Sequence, residues 1–176
     1  MGINFRRLSV PLSWLVMVVC FSASTVATAA DQNPAFWKYH VKGDFATVLE
    51  HLKGGLEADQ FSITGEENLA KGLENNKQVF GTDQWNTIGF DQATAVHFCS
   101  LVFNQEVFNI TMDWSILCPF KVVMYTMKAA PNDITLVMVR PTYVLKNDPH
   151  PKAKEIADKI EARIVNAIEA AVGPGK

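Results

Sequence analysis

Cysteine and histidine carry the reactive chemistry of this chain. Cys99 and Cys118 are accompanied by His97, two residues before the first of them. Three chemistries fit that set. Two cysteines in an oxidising compartment form a disulfide by default. Thiolates beside an imidazole can also make a soft metal site: His97 and Cys99, two apart on an extended strand, point to the same side. With Cys118, and with Met112 or Met124, they suit copper(I); Cys118, next to Pro119, could equally present a thiolate to haem iron. Finally, Cys99 falls just before a predicted helix, and a helix N-terminus lowers a thiol pKa, as a thiol oxidoreductase requires. Against the last two readings, His97 also suits an ordinary strand position and the methionines suit core filling.

Whether the two cysteines can meet depends on the chain between them. A disulfide needs Cα atoms within about 7 Å. A single helix from Ser100 to Leu117 would hold its ends about 27 Å apart and forbid the bridge. Leu101 to Asn109 suits a helix, but Ile110, Met112, Trp114 and Ile116 then alternate with polar residues, which favours extended chain. A helix ending near Asn109 spans about 14 Å. The extended run can cover that distance back at about 3.3 Å per residue. The change of period therefore permits the bridge without requiring it.

The compartment comes from the first thirty residues. Arg6 and Arg7 precede an apolar run from Val10 to Phe21, followed by small residues that end in Ala27-Thr28-Ala29. That pattern reads as a cleavable signal peptide over 1–30, cut after Ala29 or Ala30. The apolar run is shorter than the roughly 20 residues a bilayer needs, so no stable membrane anchor is expected after cleavage. Phe5 before the arginine pair and Ser9 after it favour the general secretory route over a twin-arginine signal. The expected location is periplasmic or secreted. Cys20 leaves with the signal, and residues 31–176 form one domain. The net charge of -2 and the lack of a basic patch argue against nucleic acid as a partner.

The elements that must position these residues read as follows. Phe36 to Lys42 alternates as a strand, with Trp37, Tyr39 and Val41 on one face. Asp44 caps a helix whose apolar face holds Phe45, Val48, Leu49, Leu52 and Leu56, ending near Asp59. Phe61 to Thr64 is a short strand. Gly65 to Gln92 is irregular, with one or two helical turns around Leu69 and Leu73. There Trp85, Ile88 and Phe90 either pin a long loop to the core or form a lid over a pocket. Ala93 to Phe98 and Phe120 to Met127 are strands. Pro131-Asn132-Asp133 marks a turn into a strand from Ile134 to Arg140. Asp148-Pro149 and His150-Pro151 offer starts for a last helix, its apolar face running from Ala153 to Ala171 and its end set by Gly173-Pro174-Gly175. The predicted fold class is α+β: a largely antiparallel sheet with helices on one face, in the order β-α-β-(loop)-β-α-β-β-α.

His97-Phe98-Cys99-Ser100, then Cys118-Pro119-Phe120, then an alternating hairpin ending in Arg140-Pro141, resemble the domain of unknown function 302 family. The resemblance covers about Phe36 to Ala171. It implies a compact α+β fold with an antiparallel sheet, and it implies no reaction.

The chain has no C-x-x-C-H, paired C-x-x-C, G-x-S-x-G, H-E-x-x-H or phosphate loop. The leading expectation is a non-catalytic module that binds a small molecule or a periplasmic protein, with Trp85, Phe90 and Trp114 as pocket walls. The alternatives are a copper or haem protein using Cys99, Cys118 and His97, and a thiol oxidoreductase.

Overall fold

A computed structural model describes residues 33–175; the expected signal segment lies outside them. The sheet has five strands: β1 (Phe36–Lys42), β2 (Ser62–Asn68), β3 (Phe90–Cys99), β4 (Phe120–Met127) and β5 (Ala130–Val139). They lie in the order β1-β5-β4-β3-β2, every neighbouring pair antiparallel. Six helices join them: α1 (Phe45–Ala58), α2 (Leu69–Asn75), α3 (Lys77–Phe80), α4 (Leu101–Phe108), α5 (Pro141–Val144) and α6 (Ala153–Val172). The α+β class and the element order agree with the sequence reading.

Strand parity assigns the two faces. Phe120, Val122 and Met124 of β4 face the core together with Ile134, Leu136 and Met138 of β5 and Val96 and Phe98 of β3. Helices α1 and α6 cover that face. Ile156, Ile160, Ile164 and Ile168 of α6 recur every four residues and are 2% exposed or less. Burying each isoleucine stabilises the fold by about 2 kcal/mol. Helix α1 meets α6 at Gly55, where a Cβ would collide with the Ala171 side chain. The residue that weakens the helix by propensity is thus the one that lets two helices touch.

Asp44 caps α1 as expected, accepting from the Thr47 N–H at 2.8 Å. That backbone donor, aided by the Thr47 hydroxyl, holds the Asp44 carboxyl below the usual aspartate range. The helix ends with Gln60 in the left-handed region at φ 63°. There the Phe61 N–H returns to the Leu56 carbonyl at 2.9 Å.

Several local expectations change. Residues Met112–Leu117 form a 3-10 helix rather than extended chain. Its three-residue repeat buries Trp114 and Leu117 and exposes Met112 and Ile116. The β4–β5 turn is Lys128-Ala129, and Pro131 lies inside β5. It sits beside a register shift between Tyr125 and Met127, where a strand tolerates a residue without an N–H. Strand β2 runs on to Asn68, so Gly65–Asn68 is strand rather than loop. Helix α6 begins at Ala153 after Lys152, and neither proline-linked cap starts it.

Candidate functional site

Cys99 closes β3, and Ser100 caps α4 by accepting from the Phe103 N–H. Helix α4 stops at Phe108, near the point the bridge requires. The 3-10 helix then brings the chain back to Cys118, and the two cysteines form a disulfide with Cα atoms 5.7 Å apart. The return that the change of period permits is made by a tight helix in place of extended chain. Asn104, on α4, lies against the bridge: its Nδ2 is 3.7 Å from the Cys99 sulfur and 3.4 Å from that of Cys118. Its Oδ1 is buried without a hydrogen-bond partner among the described residues. The peptide bond after Cys118 is cis.

His97 lies on the sheet face away from the helices, paired with Lys121 and packed over Gly65. Met124 belongs to the opposite, helix-covered face and is fully buried, so parity separates it from His97. Met112 is exposed on the 3-10 helix. A metal or haem site built on these sulfurs needs them as thiolates, and in the bridge both are consumed. Among the described residues no three His, Cys, Asp or Glu side chains cluster as a metal site would need.

Trp85 and Phe90 come together. Their rings meet edge to face at 5.8 Å, and Lys128 stands over the Trp85 ring at 6.0 Å. Asn86 fastens this turn, donating to the Phe90 carbonyl at 2.7 Å and accepting from the Phe90 N–H at 2.9 Å. The aromatic pair lines a cleft of about 400 Å³ between α2 and the start of β3, with Lys71, Asn75 and Gln92 also on its walls. Ile88 is 74% exposed, so it neither pins the loop nor joins the cleft. A larger groove of about 800 Å³ between α1 and α6 is lined by five alanines together with Asp59, Lys159, Arg163 and Asn166, and holds no aromatic wall.

Trp114 is not brought to the Trp85 cleft. It is 2% exposed, donates its indole N–H to Asp148 at 2.7 Å, and meets the His150 ring edge-on at 5.3 Å. Asp148 also accepts from the His150 N–H at 2.9 Å. These two donors, the indole first, hold its carboxyl below the usual range. A second polar cluster joins α5 to α6. Glu161, 7% exposed, accepts from Arg140 Nε at 2.7 Å and from the N–H and hydroxyl of Thr142. Nothing local in the sequence marks either cluster, because each joins residues far apart in the chain.

The family model described as "Domain of unknown function DUF302" matches residues 37–171. Among solved structures, the chain is similar to an uncharacterized conserved DUF302 protein from Bacillus stearothermophilus. That likeness has 18% identity and a TM-score of 0.65, and covers 78% of this chain and 98% of the other. No curated protein matches the chain.

Proposed function

The chain belongs to the DUF302 family, and from that premise we propose an exported, non-catalytic binding module of the periplasm that holds a small polar ligand in the cleft at Trp85 and Phe90. The observation that carries this reading is the combination in one cleft of a half-buried aromatic pair with polar side chains of both kinds, the donors Lys71, Asn75, Gln92 and Lys128 beside the carboxylates Glu74 and Asp91. Binding sites commonly pair an apolar wall with a few polar groups that fix orientation. The ligand class that fits is small, with one apolar or π face to lie on Trp85 and polar groups to meet the amides and ammoniums. On this reading the Cys99–Cys118 bridge is a staple suited to an oxidising compartment.

A competition between two measurements tests it. The exported protein is screened against small polar metabolites by intrinsic tryptophan fluorescence and calorimetry, alongside Trp85→Ala. Saturable binding by the parent that Trp85→Ala loses, with its fold intact by circular dichroism, supports the reading. Binding that survives Trp85→Ala sinks the cleft assignment.

Asn104 favours a second reading, thiol–disulfide exchange. Its amide donor faces both sulfurs and would stabilise a thiolate, and its unpartnered Oδ1 would accept from a reduced thiol. Rapid exchange of the bridge with a small dithiol, slowed by Asn104→Leu, supports this alternative; a bridge inert to exchange in the folded chain rules it out.

A further inference from the structure

Three elements turn polar groups toward the cleft at Trp85 and Phe90. On α2, Lys71, Glu74 and Asn75 all line it, and spacings of three and four residues put them on one helical face. Lys71 and Glu74 are spaced to pair, yet among the described residues neither side chain has an ion-pair or hydrogen-bond partner. At the start of β3 the register shifts between Phe90 and Ala93, so Asp91 and Gln92 both stand opposite Thr126. The Gln92 N–H donates to the Thr126 hydroxyl at 3.3 Å. On a regular strand two such neighbours point to opposite faces. With the extra residue both line the cleft, and bulges are frequent beside active sites because they re-aim side chains in this way.

The third element is the turn that carries Trp85. Gly89 takes φ 72°, and its carbonyl accepts from the Lys128 N–H at 2.9 Å. With Asn86 bonded twice to the Phe90 backbone, the turn is fastened to the sheet at both ends. The aromatic wall is thus in place before a ligand arrives, which cuts the ordering cost of binding.

Charge and hydrogen-bond character then select the ligand. Lys71 and Lys128 are offset by Glu74 and Asp91, so the walls favour no net charge. An ammonium only donates and a carboxylate only accepts, whereas a hydroxyl does both. A ligand rich in hydroxyls is therefore the neutral species that satisfies every wall at once. The Trp85 and Phe90 rings meet at 86°, so they offer one platform rather than two parallel plates for a flat base. The face of an aromatic ring is negative and suits the C–H groups of a sugar ring, which their oxygens polarise.

We propose that the cleft takes a short neutral saccharide, one sugar ring lying on the Trp85–Phe90 wall and its hydroxyls shared among Glu74, Asn75, Asp91 and Gln92. The assignment rests on the binding reading given above and narrows it to one ligand class. The volume of about 400 Å³ lies toward the small end of ligand pockets and suits such a molecule.

The test sets ligand classes against one another on residues 31–176 with the bridge intact. Methyl glycosides of glucose, galactose, mannose and N-acetylglucosamine are titrated alongside adenosine, uridine, free glutamate and free lysine, followed by tryptophan fluorescence and saturation-transfer NMR. A glycoside is expected to bind saturably, with an affinity that hardly changes with salt, as for an uncharged ligand. Asp91→Asn is expected to weaken it about tenfold by removing a charged acceptor, and Trp85→Ala to abolish it. Should Trp85→Ala fail to fold, Asp91→Asn and the salt series decide. Trp85-dependent binding of a nucleoside or an amino acid, with no glycoside bound, overturns the saccharide assignment and leaves the cleft reading standing. Glycoside binding that both variants retain overturns it as well. Binding of no class at all removes the assignment and the cleft reading together.

Discussion

The indole of Trp114 donates to the carboxylate of Asp148 at 2.7 Å, linking the 3-10 helix to the segment that leads into α6. Asp148 spends its other oxygen on the His150 N–H. One carboxylate therefore joins the chain after α4 to the start of the last helix.

Acid should loosen that link. Hydrogen bonds that favour the ionised form depress the Asp148 pKa in the folded chain, and the Thr47 donors do the same for Asp44. A depressed carboxyl contributes stability above its unfolded pKa and loses it as pH falls through the folded value. Thermal midpoints should fall from about pH 4 downward. Asp148→Asn should have a lower midpoint at neutral pH and a shallower acid decline. An unchanged decline in the variant would show that Asp148 does not contribute.

Reducing the bridge should destabilise the domain without changing its fold. The cross-linked residues are 19 apart, and closing a loop of that length stabilises by about 3 kcal/mol. Urea titrations of parent and Cys99→Ser/Cys118→Ser measure the difference. Thiol counting on denatured residues 31–176 should find none before reduction and both Cys99 and Cys118 after it. Equal midpoints for the two proteins would contradict the prediction.

Adjacent glycines of α1 should respond in opposite directions. Gly54→Ala meets no atom within 4 Å, so it should stabilise by about 0.5–1 kcal/mol through helix propensity. Gly55→Val drives a branched side chain into Ala171 and the Ala167 carbonyl. Overpacking of this kind costs about 1–3 kcal/mol. Chemical denaturation of both variants gives the two signs; a neutral Gly55→Val would mean that α1 and α6 do not pack as described.

Glu161→Ala should cost about 2–3 kcal/mol, since it removes charge-assisted hydrogen bonds and leaves the Thr142 N–H without its acceptor. Glu161→Gln keeps the shape and should lose less. If both variants melt like the parent, the carboxylate is not what holds α5 against α6.

The sequence made the sheet and its long helices legible where one pattern ruled a whole element. Strand β4 carries an uninterrupted two-residue repeat, and its predicted limits, Phe120 to Met127, match the structure. Helix α6 carries a continuous apolar stripe and a glycine stop. The 3-10 segment misled because Ile110, Met112 and Ile116 imitate a strand's alternation while only Trp114 and Leu117 of its residues are buried. Pro131 misleads because a proline signals a turn by itself, whereas the extra residues of β5 at its register shift against β4 make it acceptable there.

The cysteine pair was legible as two alternatives, separated by where α4 ends. Trp85 and Phe90 are close in sequence and their rings meet; only residue type links Trp114 to them. Its true partner, Asp148, read as a helix cap, because a carboxylate before proline fits that role locally. Only the return of the chain toward α6 could reveal the longer connection.

The Cys99–Cys118 bond also bears on the route by which the sheet assembles. It joins the end of β3 to the residue two positions before β4, and those strands are neighbours at the middle of the sheet. Without it, pairing them requires the intervening segment to find its closed form against chain entropy. Once oxidised, the chain holds that juncture from the outset, and the effective contact order of the central pair drops. Oxidation of the two thiols would then supply a folding nucleus, and the β3–β4 ladder would be the first long-range structure to form.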